Sequence, residues 1–488
     1  MGKLNCWEYM KCGREQGGEK AFDLGVCPAS MVTMLDGVNG GKNGGRACWA
    51  IAGTFCNGKA QGVFAMKRSD CESCAFYRTV HDEEGPNLKT MASSEMHEQL
   101  YYDWSRACPQ ADDNTTRRDW PDIKLKTAHS IKDSIDEIVI DIRNQLDGFD
   151  AKAIIFFASP HFDTSISRKM QEAFSNATVF GCTTAGEISS GKMLKGSVVA
   201  MALGSGAISS VKAAVVEDMQ NGVYVVPAFQ AFEKHFRMPV SQMDPGQHVG
   251  LVLIDGLSGK EEEIMSQIGV QTGITFVGGS AGDDLRFKET FVYANGKAYT
   301  NAALLVLFRM KSSFEVVKTQ SLKVLDRRMM VTKADETRRE VVEFDGKPAA
   351  VAYAEVLGVP VAEAQKHFMH NPVGIAIDDD PYVRSPQRLN GQNIVFYCNI
   401  LEGTDVSLLE STDINEDMKS TLTRLGQAGP IAGIINFHCI LRTMELEQKD
   451  QTKAYCELFK SIPTIGFSTY GEQYIGHINQ TSTMLVFR

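Results

Sequence analysis

Residues 153–161, AIIFFASPH, open the block that decides the fold of most of this 488-residue chain. A helical pattern, ISRKMQEAF (166–174), follows this apolar run. A second apolar run then ends in a glycine turn, FGCTTAGEI (180–188). Short apolar runs separated by a helix indicate buried strands joined by a crossover helix. The block therefore predicts a strand–helix–strand unit.

The same block occurs twice more. Its opening strand recurs as VGLVLIDGL (249–257) and AGIINFHCI (432–440), and its turn recurs as VGGSAGDDL (277–285) and GFSTYGEQY (466–474). The middle turn is one residue shorter than the other two. The chain after residue 150 is therefore predicted to be an α/β (α+β) body built from repeated strand–helix–strand units.

The three turns are candidate binding sites. Each places small and hydroxyl side chains, and then Gly-Glu or Gly-Asp, at the end of a strand, which suits a polar small molecule. The alternative is a tight turn whose acid caps a loop. Two arginines near strand ends suit a ligand carboxylate or phosphate, or else a structural ion pair. The candidate ligand-binding residues are Cys182, Thr183, Thr184, Glu187, Ser280, Asp283, Arg384, Arg442, Ser468, Thr469 and Glu472.

The N-terminal segment is rich in cysteine. A small segment of this kind buries too little apolar area to fold alone, so it needs disulfides or a metal. The N-terminus has no apolar signal sequence, which predicts a cytoplasmic protein and favours metal ligation. The candidate metal ligands are Cys6, Cys12, Cys27, Cys48, Cys56, Cys71 and Cys74.

The spacing of these cysteines bears on the metal. Structural zinc sites favour paired C-x(2–4)-C motifs, and this segment has one, at residues 71–74. Wide, uneven spacings suit an iron–sulfur cluster held from several loops. An iron–sulfur cluster, zinc, and thiols without metal all remain open, and the spacing does not identify four ligands.

Composition excludes some functions. The net charge of −10 argues against nucleic-acid binding, which uses clustered positive charge. No apolar run approaches the roughly 18 to 20 residues that span a bilayer, so membrane insertion is not expected. We find no convincing nucleophile or acid–base set, and we therefore expect a binding protein. The alternative is a redox enzyme or electron-transfer protein.

The cysteine-rich segment resembles the bacterial two-CW module. The matching residues are CWEYMKCGRE (6–15), GRACW (45–49), GTFC (53–56) and CESCAFY (71–77). The resemblance implies a sensory or signalling context and leaves the metal open.

The body resembles the FIST family of bacterial sensory proteins. FFASPHFD (156–163), LIDGLSGKEEE (253–263) and the first two turns resemble its N-terminal domain. DGKPAAVAYAEVLG (345–358), FHCILRT (437–443) and the third turn resemble its C-terminal domain. The domains expected are a two-CW domain at 1–80, a linker and bridging helix at 81–149, a FIST N-terminal domain at 150–344 and a FIST C-terminal domain at 345–488.

The FIST resemblance also implies a function. It implies binding of small ligands such as amino acids, and signalling through a histidine kinase, a chemotaxis receptor or a cyclic-dinucleotide enzyme. This chain has no such segment of its own, so we expect a separate protein partner. Some members resemble haem-binding nitric-oxide sensors, and the candidate axial ligands for haem are His161, His438 and His477.

Overall fold

The structure is a computed structural model that divides into two compact units. The first unit comprises Met1–Asp119, Ser266–Gly273 and Val324–Leu409, and the second comprises Trp120–Met265, Ile274–Lys323 and Glu410–Arg488. The residues described are 3–21, 26–32, 35–51, 54–56, 59–60, 71, 74–90, 125–377 and 380–488.

The described chain contains helices and strands, and many of the strands follow one another directly. The helices are α1 (Cys6–Met10), α2 (Ala75–Glu84), α3 (Ile135–Gln145), α4 (Ser165–Ala173), α5 (Val226–Phe236), α6 (Glu261–Gln271), α7 (Ala349–Leu357), α8 (Ile414–Ala428), α9 (Ile440–Gln448) and α10 (Thr452–Glu457). The strands are β1 (Phe55–Cys56), β2 (Lys59–Ala60), β3 (Leu125–Ser130), β4 (Ala151–Ala158), β5 (Thr178–Thr183), β6 (Glu187–Ser189), β7 (Lys192–Leu194), β8 (Val198–Gly204), β9 (Ile208–Val216), β10 (His248–Ile254), β11 (Phe276–Ser280), β12 (Val292–Ala294), β13 (Lys297–Tyr299), β14 (Ala303–Met310), β15 (Phe314–Gln320), β16 (Leu322–Asp335), β17 (Glu340–Phe344), β18 (Lys347–Pro348), β19 (Val373–Ile377), β20 (Asp380–Arg384), β21 (Pro386–Asn390), β22 (Asn393–Phe396), β23 (Asp405–Ser411), β24 (Gly433–Cys439), β25 (Thr464–Thr469), β26 (Glu472–Tyr474), β27 (His477–Ile478) and β28 (Thr481–Phe487).

The second unit contains three copies of one supersecondary unit, which we call repeats 1, 2 and 3. Each has a parallel strand pair joined through helix: β4 with β5, β10 with β11, and β24 with β25. The first strand of each pair is flanked by an antiparallel strand, β8, β14 or β28, and then by β3, β9 or β15. The repeated strand–helix–strand unit predicted from the three sequence blocks is confirmed.

One glycine position fixes how the repeats correspond. Gly181, Gly278 and Gly466 lie in the second strand of each pair. A Cβ added there would lie 1.7, 1.7 and 2.1 Å from the carbonyl oxygen of the facing strand residue. Only glycine allows so close an approach of two backbones. Residues can therefore be compared between repeats by their register relative to this glycine.

Each repeat lends a β-hairpin to another repeat. The hairpin β6–β7 of repeat 1 pairs with β25 of repeat 3, and β12–β13 of repeat 2 pairs with β5 of repeat 1. The hairpin β26–β27 of repeat 3 pairs with β11 of repeat 2. The exchange closes a circle of three six-stranded sheets. Each hairpin covers a strand edge that would otherwise be unpaired.

Apolar side chains fill the second unit. In repeat 1, α3 and α4 pack on β4 through a cluster that includes Ile138, Ile154 and Phe156. The ring of Phe157 lies 4.6 Å from that of Phe467, which joins repeat 1 to repeat 3. Burial of each such side chain contributes about 1.5–3 kcal/mol.

The residues before β4 depart from their sequence pattern. A bridging helix is expected within residues 81–149, where Ile131, Ile135, Ile138 and Ile142 have helical spacing. The structure instead has the strand β3 at Leu125–Ser130 and a helix only from Ile135. Ile131 is 67% exposed between the two elements, whereas Ile138 and Ile142 are buried. Pairing of β3 with β8 satisfies the backbone of this segment.

The first unit includes the cysteine-rich segment and residues 324–409. The latter form most of a largely antiparallel sheet ordered β20-β19-β23-β16-β17-β22-β21. In the former, the buried side chain of Arg46 donates to Glu84 at 3.0 Å and forms an ion pair with Glu83. Trp49 is also buried, and its Nε1 donates to the carbonyl oxygen of Thr90 at 3.0 Å.

Among the residues that the structure describes, no helix has the length and apolar character needed to cross a bilayer.

Candidate ligand site in the second unit

Glu187 begins β6 and is buried. One carboxylate oxygen accepts a hydrogen bond from the hydroxyl of Thr184, and the other accepts from the amide and hydroxyl of Ser197 at 3.1 and 2.6 Å. Burial raises the pKa of Glu187 to about 7, although these hydrogen bonds oppose the shift. The buried site therefore favours the protonated form of this carboxyl group more than water does.

Glu472 holds the equivalent position in repeat 3. One of its oxygens accepts from the amide and hydroxyl of Thr481 at 3.0 and 2.8 Å, as Glu187 does from Ser197. The other oxygen accepts no N–H or O–H bond from the described residues. Burial raises the pKa of Glu472 to about 8. This side chain is therefore largely protonated at pH 7.

Asp283 behaves differently in the shorter turn of repeat 2. It accepts from the amides of Phe287, Lys288 and Glu289 at 2.9, 2.6 and 3.1 Å, and from the hydroxyl of Tyr470. Burial alone would raise the pKa of Asp283, but these hydrogen bonds hold it below its ordinary value. In the described structure Asp283 caps its own loop.

A cavity of about 310 Å³ lies beside Glu187. This volume is at the lower end of the range for small-molecule sites. The hydroxyls of Thr443 and Ser468, 2.8 Å apart, lie on its wall, and the ion pair between Lys195 and Glu447 (2.7 Å) also borders it. The lining residues are Gly186, Glu187, Met193, Leu194, Lys195, Thr443, Glu447, Thr452 and Ser468.

The cavity joins two of the predicted residues and adds others. Glu187 and Ser468 come together because the repeat 1 hairpin pairs with β25. Sequence analysis missed Thr443, Lys195 and Glu447. Thr443 lies one residue beyond the predicted Arg442, but no sequence signal indicated that β7 would approach α9.

Four other predicted residues are buried in strands of the three repeats and do not line the cavity: Cys182, Thr183, Ser280 and Thr469. Cys182 is fully buried, and burial raises the pKa of its thiol well above the ordinary value. Thr183 accepts from the amide of Phe291 at 3.0 Å, and Thr469 donates to the carbonyl oxygen of Ser280 at 2.8 Å. Ser280 itself donates to Glu261 at 3.1 Å.

The two predicted arginines lie in different units. Arg384 is buried in the first unit, and its Nη1 donates to the carbonyl oxygen of Val383 at 3.1 Å. Arg442 is buried in α9 of the second unit, and its Nη1 donates to the hydroxyl of Ser321 at 3.2 Å.

The histidines considered for haem differ in exposure. His161 is exposed. His438 and His477 are buried, and their Nδ1 atoms lie 3.1 Å from the hydroxyl of Tyr455 and from Nε2 of Gln473, respectively.

The cysteine-rich segment brings some thiols near one another. A hydrogen bond with Cys48 is the main cause that raises the pKa of Cys6 well above its ordinary value, with burial and the charges of Cys27 and Cys12 adding to it. In the described part of the chain, no three His, Cys, Asp or Glu side chains are arranged to hold a metal ion. The side chain of Cys56 lies outside the described residues.

Comparison with known proteins identifies two domains. Residues 152–347 match the family model of the FIST N domain, and residues 349–475 match that of the FIST C domain. The uncharacterized protein MJ1623 of Methanocaldococcus jannaschii is 28% identical over 195 residues, which are 37% of this chain and 38% of that protein. RNA-binding protein 4F of Drosophila melanogaster is 25% identical over 166 residues, 33% of this chain and 15% of that protein. The chain thus spans well under half the length of either relative.

Proposed function

We propose that this chain, which belongs to the FIST family, is a cytoplasmic bacterial sensor of a small polar ligand. FIST domains are sensor domains of signal transduction. The ligand we propose is amino-acid-like, and its site is the cavity beside Glu187. No catalytic role is assigned.

The observation that carries this proposal is the cavity itself. It has room for a molecule of amino-acid size, and its wall offers a carboxyl group and two hydroxyls. A ligand amine beside Glu187 would favour the ionised form of a group whose pKa is about 7. The ion pair of Lys195 and Glu447 supplies both charges at the border of the cavity, which suits a zwitterion.

The position of the cavity suggests how binding produces a signal. Its lining comes from the β6–β7 hairpin of repeat 1 and from β25, α9 and α10 of repeat 3. A bound ligand would contact both repeats and so favour one arrangement of the hairpin relative to α9.

Calorimetry of the full chain against the twenty amino acids tests the site. The variant Glu187→Gln removes the charge that faces the cavity. We expect it to weaken binding by about tenfold or more, as for the loss of a charge-assisted hydrogen bond. Glu472→Gln is the matched control, because Glu472 holds the equivalent position in repeat 3 and accepts from Thr481 as Glu187 does from Ser197, but it does not line the cavity. Equal effects of both variants, or no binding by the wild type, would refute the proposal.

The output is proposed to pass to a separate signalling protein, a histidine kinase, a chemotaxis receptor or a cyclic-dinucleotide enzyme. Affinity capture with the full chain, with and without a ligand found by calorimetry, tests this. Recovery of such a protein that changes with ligand supports the proposal, and ligand-independent recovery contradicts it.

The N-terminal segment is proposed to be a two-CW domain that holds an iron–sulfur cluster or zinc. The proximity of Cys6, Cys12, Cys27 and Cys48 supports this proposal. Purification without oxygen, followed by iron, sulfide and zinc analysis, tests the proposal. Metal-free protein from both aerobic and oxygen-free preparations would exclude it.

A further inference from the structure

The three repeats differ at equivalent buried positions. In repeats 1 and 2 the helix-covered face of the sheet is apolar at three positions where repeat 3 is polar. The register of the paired strands sets these equivalences. The first position holds Phe156 in repeat 1, Val252 in repeat 2 and Asn436 in repeat 3. The second position holds Ala158, Ile254 and His438 in the same order. The third position holds Val198, Ala303 and Ser482.

Polar side chains buried at these positions need hydrogen bonds to offset their loss of hydration. Asn436, His438 and Ser482 are each fully buried. Burying a polar group costs roughly 1–3 kcal/mol when it lacks a hydrogen bond. Repeats 1 and 2 demonstrate that the architecture forms with apolar residues at these positions. The polar set of repeat 3 is therefore not required by the fold.

The polar residues form a hydrogen-bond chain with a direction. Ser482 donates to Oδ1 of Asn436 at 2.7 Å, and Nδ2 of Asn436 donates to the hydroxyl of Tyr455 at 3.3 Å. The Tyr455 proton is then directed to Nδ1 of His438, 3.1 Å away. In this assignment the His438 proton is on Nε2, and that nitrogen has no hydrogen-bond partner among the described residues.

Arg442 presents two more donors without acceptors. Its side chain is 1% exposed, and its Nη1 donates to Ser321. Its Nε and Nη2 have no hydrogen-bond partner in the part of the chain that the structure describes. Asp417, on α8, forms an ion pair with Arg442, with its Oδ2 3.7 Å from Nη2, a separation longer than that of a hydrogen bond. Nε and Nη2 form the edge with which arginine holds the two oxygens of a carboxylate.

His438 and Arg442 act on each other. Burial, followed by the positive charge of Arg442, lowers the pKa of His438 well below its ordinary value. His438 is therefore neutral at pH 7. The surroundings of these two residues contain three N–H donors without acceptors: Nε2 of His438, and Nε and Nη2 of Arg442.

We propose that the helix-covered face of the repeat 3 sheet is a binding site for a small carboxylate, held by Nε and Nη2 of Arg442 and by Nε2 of His438. The carboxylate of Asp417 competes for the same arginine edge. Its side chain is 24% exposed, which places the route to solvent on this side. This site does not depend on the cavity beside Glu187.

The test is acetate binding to the full chain, measured by calorimetry against chloride at equal ionic strength. Arg442→Lys keeps the positive charge but lacks the planar fork, and we expect at least about a tenfold loss of affinity. Asp417→Asn removes the competing charge and is expected to strengthen binding severalfold. Glu187→Gln should leave acetate binding unchanged, which separates this site from the cavity.

Two further variants separate loss of binding from failure to fold. His438→Ala and Ser482→Val introduce the residues that repeat 1 has at these positions, and both should fold, because repeat 1 forms the same sheet with them. His438→Ala should nevertheless weaken acetate binding severalfold. The proposal would be overturned if the wild type bound none of acetate, formate and propionate at ligand concentrations of about 10 mM. It would also be overturned if Arg442→Lys bound acetate as tightly as the wild type.

Discussion

Replacement of Glu472 by glutamine should remove one source of the loss of stability at high pH. The pKa of Glu472 is about 8 in the folded protein, against 4.5 for the ordinary side chain. A group whose pKa rises on folding stabilises the folded state fully below its unfolded pKa. That stabilisation is lost as the pH rises through the folded value.

The magnitude follows from the two pKa values. Between pH 5 and pH 8 the wild type should lose about 3 kcal/mol of unfolding free energy relative to Glu472→Gln, since one pKa unit corresponds to about 1.4 kcal/mol. Glutamine keeps an oxygen to accept from the amide and hydroxyl of Thr481, so the variant isolates ionisation from hydrogen bonding.

Urea unfolding of both proteins at pH 5, 6, 7 and 8, followed by circular dichroism, measures this difference. The stability of the variant relative to the wild type should increase by about 1 kcal/mol with each step. A difference that stays constant across the series would show that Glu472 is not held protonated by its buried site.

Two further predictions concern repeats 2 and 3. Asp283→Asn should destabilise the protein at pH 7 by about 1–2 kcal/mol, because the pKa of Asp283 is lowered in the folded state. The difference in stability between the variant and the wild type should shrink as the pH falls below 4. A difference that does not change with pH in urea unfolding would contradict this prediction. Gly466→Ala should lower stability by more than about 2 kcal/mol, because its Cβ would lie 2.1 Å from the carbonyl oxygen of Asn436. The control Gly426→Ala, in helix α8 with open space around it, should be neutral or stabilising by up to about 1 kcal/mol, and equal thermal shifts for both alanines would refute the steric argument.

The local units of the fold could be predicted from the sequence because their periodicity is strong. The runs at 153–161, 249–257 and 432–440 each contain a buried first strand of a parallel pair. The hairpin exchange could not be predicted, because the sequence of a Gly-Glu turn is the same whether its hairpin pairs with its own sheet or with another sheet. For this reason Glu187 and Ser468 were predicted separately, and their meeting at one cavity was not.

The polar set of repeat 3 illustrates a second limit. His438 was considered because of its chemistry, and Arg442 because of its position after a strand. Asn436 and Ser482 gave no sequence signal by themselves. Their meaning comes from comparison with Phe156 and Val198, and that comparison needs the strand register. Strand β3 has a related origin, because its backbone pairs with β8, which lies about seventy residues later and is not apparent from the local sequence.

The circular hairpin exchange has a consequence for how the protein is made. On the ribosome, the edge of β11 emerges about two hundred residues before the hairpin β26–β27 that covers it. During synthesis the edge of β11 in repeat 2 stays unpaired until this hairpin is made, and unpaired strand edges promote aggregation. Because the chain is made from its N-terminus, the three sheets cannot be completed until β26 and β27 have left the ribosomal exit tunnel. We therefore expect folding of this protein in the cell to depend on chaperones.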